Sequence, residues 1–169
     1  MTASGLHHVA YACRDAEATR HFYEDLLGFD LVHTELAPAP PRSGADGFFR
    51  HLFFDLGDSS CIAFFDVHGV GESDDWSSAV SEGNGLPVWV NHIAFGATVE
   101  RQEEVRARMA ADGVEPLMEI DHGWCQSLYF LDPNRIMVEL CRDTPGITPD
   151  PTGARELLSA IPPSRAAAP

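Results

Sequence analysis

The segment "LYFLDPNRIMVEL", residues 128–140, reads as strand, turn and strand, and its second strand carries one carboxylate, Glu139, among Ile136, Met137, Val138 and Leu140. Side chains alternate along a strand, so Met137, Glu139 and Cys141 share a face. A lone carboxylate in a dry strand costs several kcal/mol unless it is paired or holds a cation. Arg135 has the right parity to pair with Glu139, but only by reaching back along the strand from the turn. An edge-facing glutamate on a half-exposed strand is the other ordinary explanation. Two histidines add a third. His8 and His92 each open a short apolar strand, "HVAY" and "HIAF", with Ala10 and Ala12 on the face of the first and Ala94 and Gly96 on the face of the second. Small neighbours leave open volume beside each imidazole. Two imidazoles and one carboxylate make a 2-His-1-carboxylate set, which suits Fe(II) and also Mn(II) or similar borderline ions. An octahedral ion held this way keeps three positions for a substrate with two adjacent oxygens and for dioxygen or water.

The chain that must position these groups repeats itself once. "HHVAYACRDAEATRHFYEDLLGF", residues 7–29, and "NHIAFGATVERQEEVRARMAADGV", residues 91–114, each give a strand, a turn and a helical pattern. Ala18, Phe22, Leu26 and Leu27 recur at helical spacing in the first copy, and Val105, Met109 and Ala110 in the second; the helices stop near Gly28 and Gly113. Three strand-like runs follow each helix: 29–36, 49–56 and 61–67, then 115–120, 124–131 and 136–141. Ala63 in the last strand of copy one takes the place of Glu139 in copy two. The predicted fold is α+β: two βαβββ modules forming an open curved mixed sheet, a half-barrel, around a metal site, with equivalent positions facing one cavity. The expected organisation is one domain over 1–143, with modules 6–67 and 89–142 and a linker 68–88, and a Pro/Ala-rich extension over 144–169 holding a short helix near 154–161 and a loose end. The Pro-rich "LAPAPPRSGADG" is an insertion in copy one.

Composition narrows the partners. The formal net charge of −15 repels a phosphate backbone, so nucleic acid is excluded as a partner. No apolar run approaches the roughly 20 residues that cross a bilayer, and "MTASGLHHVAYACRDAE" lacks the basic start and apolar stretch of a signal peptide. Cys13, Cys61, Cys125 and Cys141 lie far apart in apolar segments with no C-x-x-C pair, as expected of buried reduced thiols in a cytoplasmic protein. His7, on the other face from His8, reads as structural and His21 as a surface residue; His33 and His68 have no evident partner. Trp89 and Trp124 are candidates for packing or for lining the pocket.

Taken together, "LHHVAY", "FYEDLLGF", "VNHIAF" and "SLYFLDPNRIMVEL" resemble the vicinal oxygen chelate superfamily over about residues 6–142. That group includes glyoxalase I, extradiol dioxygenases, fosfomycin-resistance transferases, methylmalonyl-CoA epimerase and bleomycin-binding proteins. The resemblance implies paired βαβββ units around a divalent metal held by His8, His92 and Glu139, with Fe(II) favoured and Mn, Zn, Ni or Co as alternatives. The fourth protein ligand typical of glyoxalase I and the epimerase would fall at Ala63, which cannot ligate. His122, "GWCQS", Leu128-Tyr129, Asp132-Pro133 and Glu139 are similar to the extradiol pattern, apart from Arg135 where Gly or Pro is usual. By that likeness His122 and Tyr129 are catalytic, hydrogen-bonding a bound diolate or its intermediates, and the chain is a non-haem Fe(II) extradiol-type dioxygenase, an oxidoreductase. The acid-base His usual early in the last strand of copy one is replaced by Ser59 or Ser60, with His51 on the preceding strand as a substitute. Ala10 stands where fosfomycin transferases carry Thr. The alternatives are a glyoxalase- or epimerase-like lyase or isomerase working through an enediolate, and a metal-independent small-molecule binder. The implied partners are a small molecule with vicinal oxygens and O2, and the resemblance allows a homodimer.

Overall fold

The computed structural model describes residues 5–40, 46–71 and 75–160. Strand β1 (His8–Cys13) leads into helix α1 (Ala16–Arg20), then come β2 (Leu31–Pro38), β3 (Phe48–Asp55) and β4 (Cys61–His68). The second copy runs β5 (His92–Gly96), α2 (Val99–Ala111), β6 (Met118–Asp121), β7 (Cys125–Leu131) and β8 (Met137–Asp143), followed by α3 (Pro151–Glu156). Each βαβββ module forms its own four-stranded mixed sheet, ordered β1-β4-β3-β2 and β5-β8-β7-β6. In each, the first strand pairs parallel with the last and the other pairings are antiparallel. The sheets are open and, among the described residues, no strand of one pairs with a strand of the other.

Alternation decides which face does what. Tyr11, Leu52, Phe54, Ile62 and Phe64 of the first sheet and Phe95, Leu128, Phe130, Val138 and Leu140 of the second pack with Phe22, Leu26, Val105 and Met109 into one shared core. The residues between them in sequence, including His8 and Ala63 in one sheet and His92 and Glu139 in the other, occupy the faces turned away from that core.

Local chemistry sets the helix ends. The Asp15 side chain accepts from the Ala18 N–H (2.9 Å) and Thr98 from the Arg101 N–H (3.2 Å), capping α1 and α2. The first helix does not remain α-helical: after Arg20 it widens into a π-helical stretch, His21–Leu26. Gly28 ends it at φ 75°, a left-handed conformation that strains any larger residue, and an added Cβ would crowd the Arg101 and Arg108 guanidinium groups at 3.0–3.1 Å. Both arginines reach from α2 to the Leu27 carbonyl at the negative end of that helix, tying one module to the other. In α2, Val105 and Met109 are buried, but Ala110 is exposed and not part of the packed stripe.

The turn before β8 is nailed to the first module. Asp132 accepts from the N–H groups of Asn134 (2.9 Å) and Ile136 (2.7 Å) and from the Tyr23 phenol (3.1 Å). Asn134 donates to Thr19 Oγ1 (3.1 Å) and accepts from the Arg14 N–H (3.1 Å). Burial pushes the Asp132 carboxyl up to about 6 against these hydrogen bonds, and it raises the Tyr23 phenol well above its ordinary range. Arg135 takes φ 61°, a left-handed conformation that favours glycine and that proline cannot adopt. Its guanidinium pairs with Glu82 (2.7 Å) and not with Glu139.

The short C-terminal helix starts earlier than expected, at Pro151, and passes into a 3-10 turn at Leu157–Ser159. The expected loose end beyond 160, and positions 41–45 of the Pro-rich insertion, lie outside the described residues. Among the described residues no helix is long and apolar enough to cross a membrane, and all four cysteines are free.

Candidate metal and substrate site

Glu139 is buried, 5 % exposed, at the centre of β8. The register sets Ala94 of β5 on one side of it and Tyr129 of β7 on the other. The strand face therefore gathers His92, Ala94, Glu139, Ser127 and Tyr129, and the small Ala94 leaves room beside the carboxylate. Ser127 donates to Glu139 Oε1 in a short hydrogen bond. The other oxygen, Oε2, lies 3.2 Å from His92 Nε2.

The His92 ring is oriented from behind. Its Nδ1 lies 3.0 Å from the Trp89 carbonyl oxygen, which can only accept, so Nδ1 carries the proton. In the neutral ring, Nε2 then presents a lone pair to the Glu139 oxygen. Two acceptors facing each other at 3.2 Å repel unless a proton or a cation lies between them. A histidine whose remote N–H is held by a backbone carbonyl, with its free nitrogen beside a buried carboxylate, offers two donors of the kind that suit a divalent ion. The residues present fit a metal.

His122 and Tyr129 complete this face. His122 Nε2 lies 3.0 Å from the Tyr129 hydroxyl. Burial, reinforced by the nearby Glu139 charge, raises the Tyr129 phenol above its ordinary range, so at neutral pH it remains a proton donor. A cavity of about 350 Å³ opens over the pair, lined by Trp89, His92, Met118, Ile120, His122, Tyr129 and Met137. Apart from the two imidazoles and the phenol its wall is apolar.

His8 stands elsewhere, on the outward face of the first sheet. Its ring lies edge-on to Phe53 (5.3 Å between centroids) and to His51 (5.9 Å), and its Nδ1 is 2.7 Å from Nδ1 of His7. His7 is exposed and bonded to His8. Among the described residues, the group of three or more His, Cys and carboxylate donors whose atoms all come within 4.8 Å of one another is His122, Cys125 and Glu139; His8, His92 and Glu139 do not form such a group. One chain therefore brings His92 and Glu139 together, with His122 and Tyr129 beside them, and holds His8 apart.

His51 faces the same way as His8. It is 7 % exposed, stacked on Phe65 (3.7 Å) and against Phe53 (4.1 Å), and among the described residues its Nε2 has no hydrogen-bond partner. Burial pushes its pKa down, which keeps the imidazole neutral. Ser60, at the place of the expected acid-base histidine, is tied to Asp58 (2.5 Å). His21 is a surface residue, paired with Asp25 and Asp112. His68 lies on Phe48 and 3.0 Å from Asp66, and His33 lies against Phe53. Trp89 and Trp124 are each 57 % exposed, so neither is a packing residue. Sequence reasoning missed Ser127 and Cys125; strand parity from Tyr129 through "CQSLY" would have placed both on the Glu139 face.

The profile described as "Glyoxalase/Bleomycin resistance protein/Dioxygenase superfamily" matches residues 5–140. No curated protein matches the sequence. Among solved structures, a glyoxylase/bleomycin resistance protein/dioxygenase domain from Frankia sp. EAN1pec is 17% identical, with 86% of this chain and 96% of that one covered and a TM-score of 0.64. The genomically encoded fosfomycin resistance protein FosX from Listeria monocytogenes is 24% identical, with 85% and 97% covered and a TM-score of 0.55. A mutant of that protein complexed with Mn(II) and 1S,2S-dihydroxypropylphosphonic acid is 24% identical, with 82% and 92% covered and a TM-score of 0.54. At these identities the likeness is one of fold.

Proposed function

Because the chain belongs to the glyoxalase/bleomycin resistance protein/dioxygenase superfamily, we propose that it is a metal-dependent enzyme acting on a small, largely apolar molecule with two adjacent oxygens. The leading chemistry is extradiol-type oxygenation of a catechol-like ring. The observation that carries this reading is the pair of facing acceptors, His92 Nε2 and Glu139 Oε2, 3.2 Å apart with the far side of the imidazole committed to Trp89. His92 and Glu139 would hold the ion, with Fe(II) favoured and Mn(II) next. When bound, a divalent ion polarises substrate oxygens and gathers the reactants.

The chain's own groups do the rest. Trp89, Met118, Ile120 and Met137 take an apolar ring out of water. The Tyr129 phenol donates to a substrate oxygen, and His122, at its exposed end, accepts or returns the proton. Among the described residues no Lys or Arg lines the cavity, so an anionic phosphonate of the kind bound by the mutant Listeria protein would lack a counter-charge from them.

A set of His8, His92 and Glu139 would then take His8 from a second copy of the chain. Supporting this, the His8 ring lies on an outward-facing sheet surface that also carries the neutral His51, whose Nε2 is without a hydrogen bond among the described residues. The copy that lends His8 would bring His51 as the acid-base group that Ser60 cannot be.

Anaerobic loading with Fe(II), followed by a panel of catechols and oxygen, tests the reading. Oxygen uptake with a yellow ring-fission product is expected. No oxygen consumption, with turnover of a hemithioacetal or an acyl-CoA epimer, would replace it with a lyase or isomerase. Failure to bind any divalent ion would leave a metal-independent binder. Mixing His8→Ala chains with Glu139→Ala chains should regenerate competent sites if two copies share each one, and should restore nothing if they do not.

A further inference from the structure

We propose that His122, Cys125 and Glu139 form a second metal site, built within a single chain, that takes Zn(II) or another thiophilic divalent ion in competition with His92 for Glu139. The site goes beyond the function above, since it needs neither His8 nor His92 nor a second copy. Its three donor atoms lie within 4.8 Å of one another. Cys125 and Glu139 are buried and His122 is exposed, so the cluster has a closed floor and an open entrance.

The hydrogen bonding shows what a cation would replace. Ser127 spends its one hydroxyl proton on Glu139 Oε1. Cys125 Sγ lies 3.6 Å from that same hydroxyl oxygen, so in this contact the thiol is the donor. Sulfur, hydroxyl and carboxylate are thus held together by two protons in a buried row. On binding, the zinc–sulfur bond forms, the S–H bond breaks and the proton leaves to solvent; no electron is transferred. His122 contributes Nε2 by releasing the Tyr129 hydroxyl, now 3.0 Å away. Cysteine, histidine and carboxylate give three protein ligands with a fourth position open, an arrangement zinc accepts. The sulfur sets the preference, because thiolate draws zinc or cobalt where carboxylate and imidazole alone suit iron or manganese.

The fold does not demand these residues. At the corresponding positions of the first sheet stand Phe49 for Cys125 and Ala63 for Glu139. The two sites must also exclude each other, since both draw on one carboxylate. Zinc bound to Cys125 would take Glu139 from His92 and suppress Mn(II) or Fe(II) loading.

Co(II) titration of the metal-free protein, followed by absorption spectroscopy, tests the site. An intense near-ultraviolet sulfur-to-cobalt charge-transfer band is expected at one equivalent. It should vanish in Cys125→Ser, persist in Cys141→Ser, and be displaced by Zn(II). His122→Gln, a change at an exposed side chain that serves should Cys125→Ser not fold, should weaken Zn(II) binding by about 100-fold. Absence of the band from the wild-type protein, or its survival in Cys125→Ser, would overturn the proposal. Mn(II) binding that depends on His92 and Glu139, without any cobalt–sulfur band, would sink this inference and leave the proposed function standing. A Cys125-dependent band in a protein that binds no Mn(II) would do the reverse.

Discussion

The two sheets follow one template and do opposite things with it. At a constant offset in sequence, Phe49, His51, Phe53, Ala63 and Phe65 of the first correspond to Cys125, Ser127, Tyr129, Glu139 and Cys141 of the second. The outward face of the first is a wall of stacked rings: His51 on Phe65, Phe49 edge-on to Phe65, and Phe53 against His51 and His8. The same face of the second is a row of small polar and ligating groups around a buried carboxylate. The difference teaches that the backbone supplies positions only. Chemistry enters where a position that packs in one copy is given a ligand in the other.

Exchange at the central position should break the comparison most severely. Ala63→Glu places a carboxylate at a fully buried site beside Phe53 and Phe65. A loss of about 3–5 kcal/mol is expected in urea unfolding, from burying a charge and from overpacking. In the other direction, Glu139→Gln should keep the fold, by circular dichroism, and weaken Mn(II) binding by about 100-fold or more, by equilibrium dialysis.

The turns that start the last strands sharpen the contrast. Both carry a left-handed residue, Ser59 and Arg135. Asp58 is exposed and Ser60 hydrogen bonds pull its pKa down, whereas Asp132 is buried and pushed up to about 6. Between about pH 4 and 6 the folded chain holds a proton on Asp132 that the unfolded chain has lost. Stability from this carboxyl is therefore complete below about pH 4 and is lost as pH rises through 6. The stability difference between the wild type and Asp132→Asn should shrink by about 2 kcal/mol over that window, read from urea midpoints. Tyr129→Phe makes the second sheet match Phe53 of the first; turnover should fall about 10-fold or more with Mn(II) affinity unchanged. The smallest effect belongs to the exposed His21, whose pKa is raised by hydrogen bonds to Asp25 and Asp112. Its contribution is present below about pH 6.5 and lost as pH rises through the higher folded value. His21→Gln should lower the thermal midpoint slightly at pH 6 and leave it unchanged at pH 8.5.

Much of this was legible in the sequence. The repeat gave two βαβββ modules, and alternation around Glu139 put it on the face of Met137 and Cys141. Arg135 was legible only as an anomaly, because its left-handed backbone and its pairing with Glu82 depend on the turn and on the linker. His51 stayed ambiguous because parity along β3 has no meaning until the register with β4 is known. The expectation of equivalent positions facing one cavity rested on sheets lying side by side. Phe54 and Phe64 share a core with Phe95 and Phe130, so it is the opposite faces that are left for chemistry. That packing depends on contacts distant in sequence, such as Tyr23 to Asp132 and Arg101 to Leu27.

Electron paramagnetic resonance of Mn(II) titrated into metal-free protein tests the central claim most directly. The account predicts that the free-ion signal is quenched at one equivalent per chain in the wild type, and that it remains at full strength when either His92 or Glu139 is replaced. An undiminished free Mn(II) signal in the wild type, or equal quenching in the two variants, would contradict it.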